Sequence, residues 1–479
     1  MAYKEEAGVV VDALSAYLDA SRSSAGGSGS EVPVIRQRPL GEVIEGLELA
    51  ELARNGGLMG ERLGRFVDEY LLGTTRLHAP TFMAHQVAPP HESGSLGALI
   101  DGLTNNAMAI YEMGPAAASI EYFVINWMLE KAGWIPAPTC QLPQRWAEEF
   151  GGGVLTHGGS LANLTALLAA RNAAAPESWE EGVPKDLVLL APASSHYSVA
   201  RSTSILGLGQ RGLALLPVDR EGRVIPQGVT ETIQSLRRVG KRPFALVANC
   251  CQTANGLYDP LGELAEICSS EEVWLHVDGA HGAGVLLSSK LRHLLSGIES
   301  ANSLTWDAHK MLRAPTLCAA LLTRRHQWID SVFQQDASYL FHDKEMPGFD
   351  FGSRTVECTK AGLGLRFFMV LGALGEQALG RYVEQQYALA QEAWQFISER
   401  PGFSCAVRPD SNILCFRVDG NDEFQLAVRD RLLAQGDFYI SSAVTCGARY
   451  LRLVLINPET RLSHVEDLIR SIEQIVQSW

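Results

Sequence analysis

Between residues 151 and 323 the chain alternates short apolar runs with segments of helical spacing. The runs are DLVLLAP (186–192), FALVANC (244–250), WLHVDGA (274–280), SLTW (303–306) and LCAALLT (317–323). Each is strand-length, and the intervening segments are long enough for helices. That alternation implies a mostly parallel sheet covered on both faces, because strands buried on both sides lose the polar alternation of a half-exposed sheet.

The flanks read differently. Residues 8–20, GVVVDALSAYLDA, show helical spacing, and SRSSAGGSGSEVP (21–33) has the composition of a flexible linker. The chain to about residue 75 also reads as helices. A long helix is expected after Pro115, with Ile120, Phe123, Val124, Trp127 and Met128 recurring at three and four. Near residue 370 the style changes again. ALGRYVEQQYALAQEAWQFISERPG is a long helix, followed by the strand-like CFRVDG, YISSAV and YLRLVLI and a closing helix, SHVEDLIRSIEQIVQ. The expected division is an N-terminal helical segment (1–95), a large α/β domain (96–370) and a small C-terminal α+β domain (371–479). No internal repeat is visible.

Bulk properties narrow the function. The 479 residues are 46% hydrophobic and 20% charged, ample for a large core. A formal net charge of -14 argues against a nucleic-acid binder, which needs a basic face. It does not oppose an anionic ligand, since a local field can run against the global one. The nine cysteines are dispersed, with no C-x-x-C and no histidines at zinc spacing, so no metal is expected. An odd, scattered set fits reduced thiols. The N-terminus lacks the apolar core of a signal peptide, and no apolar run approaches the ~18 residues that span a bilayer. The expectation is a soluble, cytoplasmic protein that touches neither membrane nor nucleic acid.

In parallel α/β sheets ligands sit at the carboxyl ends of strands, so the residues that follow each run matter most. After VLT come Gly158, Gly159 and Ser160, opening a helix whose free N–H groups can face an anion. After LVLLAPAS comes His196, whose bland reading is structural. After WLHV comes Asp278, which could be only a helix cap. After SLTW come Asp307, His309 and Lys310. A lysine between apolar segments can snorkel to solvent, or it can be a desolvated amine serving as a nucleophile. Taken together, an anion cradle, an imidazole, a carboxylate and an amine match the needs of pyridoxal phosphate. The phosphate takes the helix N-terminus, the lysine forms a Schiff base, and the acid holds the ring-nitrogen proton.

The chain resembles the group II pyridoxal-phosphate decarboxylases, which include glutamate, cysteine sulfinate, 2,4-diaminobutyrate and aromatic amino-acid decarboxylases. The resemblance runs from about His78 to the C-terminus through YEMGPAAASIE, GGSLANLTALLAAR, SSHYSV, YDPLGELAEIC, WLHVDGAHGAG, SGIESANSLTWDAHKML, DASYLF and LRLVLINPET. The glutamate and cysteine sulfinate branch is nearest around 297–341, whereas MAHQVAPP (83–90) is more like the diaminobutyrate branch. The resemblance implies a PLP-dependent transferase fold of type I and an obligate homodimer with interface active sites, the N-terminal helices wrapping the partner. It makes Lys310 the Schiff-base lysine, His196 the ring-stacking acid/base group, and Asp278 the partner of the pyridine nitrogen. Ala280 would touch the other side of the ring, and Gly159, Ser160 and His309 would hold the phosphate. Arg452 would receive a substrate carboxylate, against the bland reading of a surface salt bridge, and His85 and Gln86 would line the side-chain pocket.

The chain also departs from that family. Asp307-Ala308 stand where Asn-Pro usually precede His-Lys, and a carboxylate near a phosphate repels it unless it points away or carries a proton. Phe349 falls where the mobile loop of decarboxylases carries a proton-donating tyrosine. Lys360 replaces an arginine, keeping the charge but losing the bidentate fork. VANCCQTANG (247–256) lacks the family's Gly-Thr-Thr run, leaving Asn249 and Thr253 as the cofactor-side candidates.

The leading reading is α-decarboxylation of an L-amino acid, with Arg452 favouring an acidic side chain. A second follows from Phe349: with no phenolic donor the carbanion persists, oxygen intercepts it, and an aldehyde and ammonia result. A third, a non-catalytic binding subunit, is opposed by the intact Lys310, Asp278 and His196.

Overall fold

The structure is a computed structural model that describes residues 3–23, 32–139, 149–330, 332–333 and 348–479. DASYLF and Cys140 lie outside the described residues. The chain forms two compact units, residues 90–385 and residues 1–89 together with 386–479.

The larger unit is built on a seven-stranded sheet. Its strands are β1 (Gly152–Thr156), β2 (Leu187–Pro192), β3 (Leu213–Leu216), β4 (Arg242–Asn249), β5 (Trp274–Asp278), β6 (Ser303–Asp307) and β7 (Ala319–Thr323), in the order β1-β7-β6-β5-β4-β2-β3. All neighbours pair in parallel except β7, which runs antiparallel to β1 and β6. Every residue of β1, β2, β5, β6 and β7 is buried, which requires cover on both faces and accounts for the unbroken apolar runs. The helix Gly159–Ala174 lies over β1 and β4–β7.

Six of the seven strands point the same way, so their carboxyl ends share one edge. Register aligns those ends: Asn249 opposite Asp278, Asp278 opposite Thr305, and both Asp307 and Thr156 opposite Ala319. The antiparallel β7 thereby brings the turn after β1 beside the end of β6.

The long helix after Pro115 is present as Pro115–Ala132, with proline in its first turn and Gly133 closing it at a φ of 80°. Its buried stripe is only partly the expected one. Val124, Trp127 and Met128 are buried as expected, together with Ala118, Glu121, Ile125, Leu129 and Ala132, while Phe123 is 50% exposed and meets Phe368 edge-on. Reading from large residues alone placed Phe123 inward and left out the buried charged residue Glu121.

In the other unit, β8 (Phe403–Cys405), β9 (Ile413–Val418), β10 (Ser441–Thr445) and β11 (Ala448–Val454) form an antiparallel sheet ordered β10-β11-β9-β8. The unit includes residues 1–89 because the chain near residue 82 is stitched to it. Met83 N donates to Tyr439 O at 2.9 Å, Val454 N donates to Met83 O at 2.8 Å, and Asn457 Nδ2 reaches Leu77 O and Ala79 O, both at 2.9 Å. Met83 sits in one core with Leu414, Phe416, Leu453 and Ile469. This grouping cuts the chain elsewhere than residues 95 and 370. Its second cut falls at Gln386, inside the helix Glu376–Ser398.

Candidate active site

The shared carboxyl edge collects the residues singled out above. Gly158 turns the chain after β1 at a φ of 102°, in the left-handed region that side chains disfavour, and Gly159 starts the helix. A Cβ on Gly159 would lie 2.7 and 2.9 Å from the carboxylate oxygens of Asp307, so only glycine allows this approach. Ser160 is exposed in the same first turn.

Asp307 is the last residue of β6 and only 2% exposed. Its Oδ2 lies 3.3 Å from Lys310 Nζ and 3.6 Å from His309 Nε2, and among the described residues its Oδ1 has no hydrogen-bond partner. Lys310 keeps 20% of its side chain exposed. It is neither sealed in the core nor snorkelling freely. His309 turns Nδ1 towards Cys318 O at 2.9 Å.

Asp278 is buried at the end of β5, accepting from Asn163 Nδ2 at 2.8 Å and from Ala280 N at 3.3 Å. Asn249 ends the next strand, with its Nδ2 3.4 Å from Ser194 Oγ. His196 caps the helix Tyr197–Ile205: its Nδ1 accepts from Ser198 N at 3.3 Å and lies 2.8 Å from Ser198 Oγ. An accepting Nδ1 puts the proton of the neutral ring on Nε2. Burial favours that neutral form by holding His196 below the ordinary histidine range, against the pull of Asp278.

Other expected residues are placed elsewhere. Phe349 lies in an aromatic cluster, with its ring centroid 5.2 Å from that of Tyr122 and 4.7 Å from that of Phe351, under the Arg354 guanidinium at 4.4 Å. Lys360 is buried, 3.1 Å from Glu121 Oε1, and donates to Leu155 O at 2.5 Å. Glu121 Oε1 accepts from Leu155 N at 2.9 Å. The pair thus satisfies the free edge of β1, an outer strand whose unpaired backbone groups would otherwise be exposed or orphaned.

In the smaller unit, Arg452 is buried on β11, reaching Ala84 O at 3.2 Å and Ser441 Oγ at 3.3 Å, so it is no surface salt bridge. His85 Nε2 lies 2.9 Å from Tyr439 OH in the same unit, and burial lowers its pKa, followed by the field of Arg452.

Sequence reading missed Asn163 and His276, which stand behind Asp278. The signal existed. His276 and Asp278 alternate on one face of β5, and Asn163 is a polar residue in the first two turns of a helix that starts at the site.

Among the described residues no group of histidine, cysteine and carboxylate side chains could hold a metal, and no helix is long and apolar enough to cross a membrane.

Residues 71–419 match the pyridoxal-dependent decarboxylase conserved domain. The chain is 27% identical over 444 residues to the acidic amino acid decarboxylase GADL1 of Mus musculus, covering 88% of this chain and 78% of that protein. The crystal structure of mouse CSAD superposes with a TM-score of 0.84 at 25% identity, covering 98% of each chain. The glutamate decarboxylase domain of diaminobutyrate-pyruvate transaminase and L-2,4-diaminobutyrate decarboxylase from Vibrio parahaemolyticus superposes with a TM-score of 0.82 at 22% identity, over 100% of this chain and 96% of that one.

Proposed function

The chain belongs to the pyridoxal-dependent decarboxylase family, and from that premise we propose that it removes the α-carboxylate of an amino acid with an acidic side chain. It is a carboxy-lyase of fold type I with pyridoxal phosphate as its cofactor. The strand-end residues fit that group: a helix N-terminus with no Cβ, a buried acid held by an amide, a neutral imidazole and an accessible amine. When bound, the cofactor supplies an electron sink for the carbanion left by CO2.

The roles of the chain's own residues are our reading. Lys310 would hold the cofactor through its amine. Asp278 would hold a proton at the ring nitrogen, and Ala280 would line the cofactor's place. Gly159, Ser160 and His309 bind the phosphate, and Asn249 stands on the cofactor side. His196 would line the cofactor's place, and it holds its proton at Nε2, where it can serve the substrate. The observation that carries the reading is the alignment of Lys310, Asp278, His196 and Gly159 on one sheet edge.

The acidic substrate rests on Arg452, a buried guanidinium, and on the likeness to an acidic amino acid decarboxylase. His85 is proposed to line the side-chain pocket. The route to an aldehyde rests on Phe349 alone, whose ring sits in a packed cluster, so amine is the proposed product.

A homodimer is proposed on the helix Glu92–Thr104, where Leu96, Leu99, Ile100 and Leu103 are 45–64% exposed at helical spacing. Such a stripe wants a partner. Reduced, dispersed cysteines support a cytoplasmic setting.

The test is incubation of the holoenzyme with each amino acid, trapping CO2 and identifying products by mass spectrometry, with Lys310→Ala as control. Release of an amine from an acidic amino acid, abolished in Lys310→Ala, is expected. Turnover by Lys310→Ala, or no turnover of any acidic amino acid, sinks the corresponding part.

A further inference from the structure

Behind Asp278 runs a buried hydrogen-bond chain whose direction is fixed at both ends. Asp278 Oδ2 accepts from Asn163 Nδ2 at 2.8 Å. An ionised carboxylate can only accept, so the amide must present its nitrogen there. The second hydrogen of that nitrogen points to Ser198 Oγ at 3.1 Å, and Ser198 Oγ lies 2.8 Å from His196 Nδ1. With both N–H bonds committed, Asn163 Oδ1 must accept. Its partner is His276 Nε2 at 3.0 Å.

His276 therefore carries its proton on Nε2, and its Nδ1 accepts from Ser303 Oγ at 2.8 Å. Ser303 Oγ accepts in turn from Trp274 Nε1, a pure donor, at 2.9 Å. The chain reads Trp274 to Ser303 to His276 to Asn163, then forks to Asp278 and, through Ser198, to His196. Reversing any link sets two donors or two acceptors face to face. Asn163, His276 and Ser303 are essentially without exposure, so solvent cannot repair such a fault.

We propose that Asn163, His276 and Ser303 are positioning residues for the decarboxylation, whose relay holds Asp278 as an acceptor for the cofactor's ring nitrogen and fixes the tautomer of His196. The proposal rests on the roles assigned to Asp278 and His196 above. Donation from Asn163 anchors Asp278 Oδ2, so that the carboxylate stays oriented as an acceptor for the ring nitrogen. If the amide turns over, its oxygen faces the carboxylate. The two acceptors repel, and Asp278 swings off that acceptor position. The same flip withdraws the donor to Ser198 and loosens His196. Ser303 starts β6 while Asp307 ends it, so Ser303 acts from the far end of the strand.

The test uses holoenzyme loaded with pyridoxal phosphate labelled with 15N in the ring, and separately protein labelled with 15N-histidine. Wild type should show the Nε2–H tautomer at His276 and a protonated ring nitrogen. Ser303→Ala should mix the His276 tautomers and lower the pH at which the ring nitrogen loses its proton, with kcat falling more than KM rises. Ser303→Thr, which keeps the hydroxyl, should restore both signals. An unchanged tautomer and ring signal in Ser303→Ala, with only a lower Tm, overturns the relay. If Ser303→Ala does not fold, Asn163→Ala decides by the same ring signal. Asp278→Asn separates the two levels. If it leaves the ring nitrogen protonated, the role of Asp278 itself is wrong. If it alone shifts the signal, only the relay fails.

Discussion

Asp307 Oδ2 lies 3.3 Å from Lys310 Nζ, and the same carboxylate leaves no room for a Cβ on Gly159 at the start of a helix. The end of β6 thus pairs the Lys310 amine with a buried acid, and that acid faces the N-terminus of the helix Gly159–Ala174. The unpartnered Oδ1 marks a side chain that is not fully satisfied. Lys310 offsets its charge while the amine is protonated.

Asp307→Asn should therefore bind pyridoxal phosphate more tightly. Two unit charges ~4 Å apart interact by about 4 kcal/mol at an effective dielectric of ~20. Even a third of that is worth about tenfold in Kd. Equilibrium dialysis of the cofactor-free protein measures it. Equal or weaker binding in the variant would show that Asp307 serves only to hold Lys310 and His309.

Lys360 and Glu121 are predicted to act as a unit. Burial pushes the Glu121 carboxyl up, and Lys360 pulls it down. Removing one partner of a buried pair typically costs about 3–5 kcal/mol, because the other charge is stranded. Here the cost includes the edge of β1, whose Leu155 N–H and C=O the pair holds. Lys360→Met should lower stability by that order in denaturant unfolding, and Glu121→Gln/Lys360→Met should recover part of it. A double variant no better than the single would refute the coupling.

Much of this was legible beforehand, for physical reasons. Strands covered on both faces leave unbroken apolar runs, so β2, β4, β5 and β6 could be read directly. The strand-end rule then picked out His196, Asp278 and Lys310. What stayed hidden depended on register. Only the antiparallel β7 brings Asp307 against Gly159, and nothing local announces that. Asn163 and His276 are 113 residues apart and meet across a helix–sheet interface. Lys360 looked like a weakened arginine because its partner, Glu121, sits on a helix face judged by its large apolar residues.

His276 should make the protein acid-sensitive. Burial lowers its pKa from 6.5 to about 4. Between those values the unfolded chain binds the proton and the folded one does not, so stability falls as pH drops from 6.5 towards 4. The loss approaches roughly 3 kcal/mol by linkage. Asp259 works the other way: burial raises it to about 6, so its term favours folding as pH falls from 6 towards 3.8. Comparing Tm against pH for wild type and His276→Gln isolates the first term, since Asp259 is common to both. Parallel curves from pH 7 to 4.5 would mean His276 titrates normally.

Arg452 should set the preference for an acidic side chain. A charged hydrogen bond to a carboxylate is worth roughly 1.5–3 kcal/mol. Arg452→Met should weaken an acidic substrate by about ten- to a hundredfold in kcat/KM. Cofactor loading, followed by absorbance, should not change. An unaltered kcat/KM would remove the basis for an acidic substrate.

Phe349 would decide the product only if it stood at the proton donor's place. If it held the place of a proton donor, its replacement by a phenyl ring would leave the carbanion to oxygen, and aldehyde, ammonia and peroxide would appear in air. The structure instead packs its ring between Tyr122 and Phe351 beneath Arg354. A positioned acid elsewhere suffices, because proton transfer is typically worth ~10²–10⁴-fold and outruns slow oxygen capture. His196, with its proton on Nε2, is our candidate. Wild type is therefore expected to yield amine alone in oxygen-saturated buffer, and Phe349→Tyr should leave that product unchanged. His196→Asn should slow amine formation and let aldehyde emerge in air. The contrary pattern is distinct: aldehyde from wild type that falls when oxygen is removed, and amine restored by Phe349→Tyr, would place Phe349 at the donor's position and make the protein an aldehyde producer.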